Sequence, residues 1–254
     1  MRWNRPTTLT AVVLAVIVSA TSVQSSGRTQ PPPSSNPPAG LRPEVYGLAL
    51  RAYRVAEAQG LVTRPRMTVV DLELPSYARR LWVLDMATGE VLFHEWVAHG
   101  MGSPRGTGGD LVKVLSFSNR EHTRMSSLGL YRTAETYVGR HGRSLRLDGL
   151  EPGINDAARR RTIVVHGADY VSRQQARLGR MGRSWGCPAV RPEIAQSLID
   201  AISGGSLLWI YYPDQSWLAS SDFLASVTGD GRRSRPSAAV NGSGGSSSTE
   251  PVGQ

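Results

Sequence analysis

Cys187 is the single cysteine in 254 residues, and it stands in Gly182-Arg183-Ser184-Trp185-Gly186-Cys187-Pro188. One thiol can neither close an internal disulfide nor build a cysteine-rich zinc site. Two roles are left: a small buried hydrophobe or a nucleophile. Its neighbours favour the second. Gly186 and Pro188 hold it in an irregular turn, whose backbone N–H groups can point at a bound oxygen. Pro188 has no N–H, so such donors must come from Cys187 and the residues before it. A nucleophilic cysteine also needs a base that can take its proton near neutral pH. His166, at the end of the β-branched run Arg161-Thr162-Ile163-Val164-Val165, is well placed for that. A lone histidine is as easily a satisfied core residue. What separates the readings is the sequence His166-Gly167, then an irregular loop rich in glycine and arginine, then Gly186-Cys187.

Other polar groups cluster around this pair in the chain. His99, at the end of a strand-like segment, is either a second candidate base, a substrate contact or a structural histidine. Ser118, Asn119, Ser126 and Ser127 lie in loops between apolar segments, where they suit hydrogen bonding to peptide amides and carboxylates; turn chemistry is the competing reading. Arg183 and Ser184, in the cysteine segment, are further expected substrate contacts. Arg159-Arg160-Arg161, Arg173, Arg177, Arg180 and Arg183 crowd both sides of His166, a field that lowers a nearby thiol pKa and attracts carboxylates. His94, His122 and His141 have no partner at metal-ligand spacing, so no metal site is expected, and no cofactor.

These residues need elements to carry them. Pro43 suits a first helical position, Val45, Leu48, Ala52 and Val55 recur at helical spacing, and Gly60 stops the helix. The period then changes. Met67–Leu74 and Arg80–Met86 read as strands, and Ala87-Thr88-Gly89-Glu90 turns the chain into a hairpin with Val91–Ala98. Arg161–His166 is a strand. Pro192 opens a helix through Ile194, Leu198, Ile199 and Ile202, closed by Gly204-Gly205, before an apolar strand from Ser206 to Tyr212. Strands outnumber helices without regular alternation, so a mainly β (α+β) domain is expected and a Rossmann or TIM arrangement is not.

Composition sets the context. Residues 1–20 carry Arg2 and Arg5, an apolar run from Leu9 to Val18 and the small-residue end Val18-Ser19-Ala20, the pattern of an export signal. The run is too short for a full membrane span, so an uncleaved anchor is the minor alternative. Residues 21–40 are a linker dominated by Pro and Ser, and 226–254 a Gly/Ser-rich tail, both expected to be disordered. Residues 41–225 remain as one domain. The net charge is +9, from 29 basic and 20 acidic residues, and every basic residue except Lys113 is arginine. An anionic wall polymer fits that field; an exported chain without aromatic interleaving argues against nucleic acid.

The segments His166-Gly167-Ala168-Asp169-Tyr170 and Arg183-Ser184-Trp185-Gly186-Cys187-Pro188 resemble the active-site signature of the L,D-transpeptidase catalytic domain, the YkuD-like fold, in a branch with a Gly-Arg-Ser-Trp-Gly-Cys-Pro cysteine motif. Trp96-Val97-Ala98-His99-Gly100, Phe117-Ser118-Asn119, Ser126-Ser127-Leu128-Gly129 and Leu145-Arg146-Leu147-Asp148-Gly149-Leu150 extend the resemblance. It implies a β-sandwich or barrel with a few flanking helices. It also implies an enzyme that acts on peptidoglycan stem peptides, which the export signal would place in the periplasm or cell envelope. Cys187 would be the nucleophile, His166 the base oriented by the Gly167 carbonyl, and the N–H groups around Trp185, Gly186 and Cys187 the oxyanion donors. Transfer of the acyl group to an amine gives cross-links, and transfer to water gives carboxypeptidase activity; a non-catalytic wall-binding module is the remaining reading. Better-studied members have a histidine where this chain has Trp185, and an Arg or Asn after the cysteine for which Arg191 is the candidate counterpart.

Overall fold

The computed structural model describes residue 1 and residues 36–102 and 112–225. The expected export signal, the linker up to residue 35 and the tail from 226 lie outside the described residues. The linker's last residues, 36–40, already touch the domain: the Trp82 indole donates to Ala39 O at 3.2 Å.

Helix α1 (Pro43–Ala58) starts on its proline and buries Val45, Ala49, Ala52, Tyr53 and Ala56, a stripe at helical spacing. It lies against β1 (Arg66–Asp71), which pairs antiparallel with β2 (Leu81–Asp85); the Gly89 turn then leads into β3 (Val91–Glu95). β4 (Gly129–Gly139) and β5 (Gly142–Gly149) form a long hairpin, and β6 (Val164–Gly167) adds to it. Short α2 (Arg173–Arg177) and β7 (Ala189–Val190) precede α3 (Pro192–Ile202), β8 (Leu207–Tyr211) and α4 (Gln215–Ser220). The strands make one sheet in the order β3-β2-β1-β8-β4-β5-β6-β7, with β1/β8 and β6/β7 parallel and the rest antiparallel. Ala98, just beyond β3, bridges Ala189 of β7, so the two edges meet and the sheet nearly closes into a barrel. The mainly β architecture with few helices is thus present.

Sequence and structure differ at strand ends, and for local reasons. β3 stops at Glu95 instead of Ala98, because Ala98 leaves β2 and donates its N–H to Ala189 O. β6 starts at Val164 instead of Arg161, because Thr162 has φ +54°, a left-handed conformation that a β-branched residue adopts only under constraint. β8, all five residues buried, is central to the sheet, which explains its unbroken apolar run Leu-Leu-Trp-Ile-Tyr. The β4–β5 hairpin was not anticipated. Its polar residues at Arg132, Glu135, Arg143 and Arg146 hide the alternation, and its register slips between Thr133 and Thr136.

Candidate active site

Strand pairing brings the two predicted residues together. In β6, His166 pairs with Ser144 on one side and with Ala189 on the other. Ala189 is two residues beyond Cys187, so the short β7 anchors the cysteine loop beside the histidine. Both residues line one cavity of about 650 Å³. Gly167 serves the same arrangement: a Cβ there would come within 3.0 Å of Ala195 Cβ, so a side chain would push α3 away from the end of β6.

His166 Nδ1 lies 2.8 Å from Gly167 O. A carbonyl only accepts, so Nδ1 carries the hydrogen and Nε2 keeps a lone pair. Burial pushes the imidazole's pKa down against that hydrogen bond, and His141 pushes it further down. The His141 ring is stacked on it, centroids 4.3 Å apart and planes at 28°. Burial pushes the Cys187 thiol up, opposed by the Val164 backbone N–H and by the Arg161 cation. The S–H points to Thr162 O at 3.7 Å, with no hydrogen bond to His166 among the described residues. These directions favour a neutral thiol beside a neutral imidazole at rest.

The cysteine loop is built by Ser184. Its hydroxyl donates to Cys187 O at 2.6 Å and accepts from Gly186 N at 3.1 Å, while its backbone bonds His99 O and Met101 N. Gly186 has φ +116°, and a Cβ there would meet Met125 O at 2.7 Å and Ile163 Cδ1 at 3.0 Å. Only glycine fits. Because Gly186 N–H is committed to Ser184, the expected trio of oxyanion donors reduces to the Trp185 and Cys187 amides, which have no partner among the described residues.

Of the expected substrate contacts, Arg183 and Ser184 line the cavity, and the others are not among its lining residues. His99 is 1% exposed, its Nδ1 2.9 Å from the guanidinium of Arg80, which is itself wholly buried. Desolvation lowers the His99 pKa to about 3 and the Arg80 pKa to about 9. Asn119 bonds Asp156 and Ala157 N, holding the turn before β6. Ser126 accepts from Gly100 N, and Ser127 donates to Ser118 O. Arg161 draws that layer together: its guanidinium donates to Ser118 O at 2.7 Å, Ser127 Oγ at 2.5 Å and Met125 O at 2.6 Å. Turn and loop chemistry therefore accounts for these serines and Asn119. Arg191 is also committed elsewhere, in a bidentate pair with Glu95 at 2.7 and 2.9 Å, so it does not face the cavity.

Sequence reasoning missed the wall made by Tyr137, Arg140 and His141 at the end of the hairpin, and Tyr170 and Arg124 opposite it. The available signal was Gly139-Arg140-His141-Gly142, a glycine-bounded turn with a histidine inside. Trp185 is exposed at the cavity mouth with the Arg124 guanidinium 4.4 Å over its ring.

Comparison with curated proteins found no match. Among solved structures, an L,D-transpeptidase from Mycobacterium smegmatis aligns at 15% identity and TM-score 0.35, over 58% of this chain and 59% of that one. An L,D-transpeptidase from Stackebrandtia nassauensis aligns at 14% and 0.34, over 65% and 66%. The match thus spans roughly three fifths to two thirds of their lengths. A family model described as the L,D-transpeptidase catalytic domain matches residues 38–211, which include β1 to β8, His166 and Cys187. With more than half of its length matched from before the first helix to the end of the last strand, this chain belongs to the L,D-transpeptidase catalytic domain family.

Proposed function

We propose that the chain is an exported cysteine acyltransferase that acts on peptidoglycan stem peptides, with Cys187 as nucleophile and His166 as base. The observation that carries this reading is the cavity that Cys187 lines together with a histidine whose Nδ1–H is fixed on Gly167 O, leaving Nε2 free to take a proton.

The starting state is the neutral pair, so proton transfer accompanies attack. The Cys187 sulfur bonds to the carbonyl carbon of the L–D peptide bond while its proton passes to His166 Nε2. The oxyanion is met by the Trp185 and Cys187 amides. Collapse breaks the C–N bond, and the departing D-amino acid takes the proton from His166, leaving a thioester. An acceptor amine then attacks the thioester carbonyl, gives its proton to His166, and releases the thiol, which regains that proton. Arg140 and Arg183 in the cavity wall suit the carboxylates of a stem peptide. The signal pattern of residues 1–20 supports export to the periplasm or cell envelope.

Intact mass spectrometry of the purified protein and of Cys187→Ala, each with a carbapenem and separately with stem tetrapeptide, tests the proposal. A probe-sized adduct on the parent alone and stem dimers among the products are expected. Neither adduct nor peptide turnover would refute it, and trimmed peptides without dimers would replace transfer by hydrolysis.

A further inference from the structure

The β4–β5 hairpin reaches past the sheet and brings a second imidazole to the base. Tyr137 pairs with Ser144 and Gly139 with Gly142, so His141 lies in the turn, and Ser144 in turn pairs with His166. The hairpin thus has a fixed register against the strand that holds the base. From the turn, His141 folds over the His166 ring in a near-parallel stack. Imidazole hydrogen bonds lie in the ring plane, so a ring stacked face to face neither gives nor takes a proton from its neighbour. It does something else. His141 is exposed while His166 is only 3% exposed, although His166 lines an open cavity. The stacked ring is what stands between one face of the base and water.

We propose that His141 is a positioning residue for His166: its ring covers and orients the base, and its charge when protonated disfavours a second charge there. The inference rests on the reading of His166 as the base. Two holds then fix the imidazole, the Gly167 carbonyl in the ring plane and the His141 ring over its face. Other charged or titratable groups surround the pair. Arg140 and Tyr137 share the hairpin, Asp169 and Tyr170 follow β6, and Cys187 and Arg183 come from the cysteine loop. Of these only His141 is in ring contact with the base, and it is the histidine that opposes the proton on His166.

The test is an NMR titration of the His166 imidazole in the full-length protein, its signal assigned with His166→Gln, in the parent and in His141→Phe and His141→Ala. Phenylalanine keeps a ring over the base and removes the charge; alanine removes both. The His166 midpoint is expected to rise by about half a unit or more in both variants, since each removes a group that disfavours the proton. The acid limb of carbapenem acylation then moves up in pH by a similar amount, and alanine also lowers the plateau severalfold because the ring is no longer held. An unmoved midpoint in either variant overturns the proposal, as does a lowered plateau with an unmoved midpoint, which marks a merely structural turn. The titration is readable even if no carbapenem adduct forms, so failure of the acyltransferase reading stays distinct from failure of this one.

Discussion

Arg161 lines the cavity, bonds the loop of Ser118, Met125 and Ser127, and is the cation that acts on the Cys187 thiol. No carboxylate bonds it among the described residues; its partners are Ser118 O, Ser127 Oγ and Met125 O. Burial lowers its own pKa, and the Cys187 charge raises it, the reciprocal of its effect on the thiol. Arg161→Gln removes the charge, and Arg161→Lys keeps it; both lose the planar fork that holds three acceptors. The difference between the two variants is therefore the electrostatic part. An opposite charge close to an ionisable group moves its pKa by about 1–3 units, and the low end applies because burial outweighs Arg161 at Cys187.

A rise of about one unit cuts the thiolate fraction at neutral pH about tenfold. The more basic thiolate is also the better nucleophile, with a Brønsted slope of about 0.4–0.5, which restores about threefold. Acylation by a carbapenem at neutral pH should therefore fall about three- to fourfold in Arg161→Gln relative to Arg161→Lys. In alkali, where both thiols ionise, the order should reverse, with Arg161→Gln about threefold faster by the same slope. Because the chain has one cysteine, the ultraviolet absorbance of thiolate reports Cys187 alone. A Gln midpoint equal to or below the Lys midpoint would refute the reasoning and leave Arg161 as a scaffold for Ser118, Met125 and Ser127.

Two further predictions follow from the buried groups. His99 has its pKa depressed to about 3 against about 6.5 when unfolded, so between those values the unfolded chain binds the extra proton. Stability therefore falls as pH drops through that window, by about 1.4 kcal/mol per unit at most. His99→Gln, which keeps an acceptor for Arg80, should show a shallower loss of urea midpoint between neutral and acid pH; equal slopes would contradict it. Gly186→Ala forces a side chain at φ +116° against Met125 O and Ile163, and should lower the melting temperature and abolish carbapenem adducts. A variant that melts and acylates like the parent would show that the loop has room the structure denies it.

The meeting of Cys187 and His166 in one cavity was more legible than their surroundings. Cys187 and His166 could be paired from residue type, turn context and strand end alone, because each carries a local signal: an unpaired thiol between glycine and proline, and a histidine closing a β-branched run. His99, Ser118, Asn119, Ser126 and Ser127 were harder to read for the opposite reason. Their polarity is the same whether they meet a substrate or satisfy a buried amide, and only tertiary neighbours such as Arg80 for His99 or Arg161 for Ser127 decide. Arg191 shows the same ambiguity, resolved by Glu95 from β3 far away in sequence. The hairpin from Gly129 to Gly149 was missed because its charged residues occupy the exposed face of a strand pair. Arg159 bonds both Glu135 and Asp148, and Arg146 bonds Glu135, contacts that sequence spacing does not reveal.

Three segments with different anchoring meet at this cavity, and the difference bears on where such an enzyme can vary. His166 is held by paired strands on both sides and by Gly167 O, so its position is set by the barrel. Cys187 is held by Ser184 and by the lack of a side chain at Gly186, a loop solution that tolerates few substitutions. His141 depends on a hairpin whose tip stands in solvent, with Val138 82% exposed. Displacing that arm costs little core packing, yet it uncovers one face of His166. A change in hairpin length or turn type would therefore alter proton affinity at His166 and the shape of the cavity wall together, without touching Cys187 or His166.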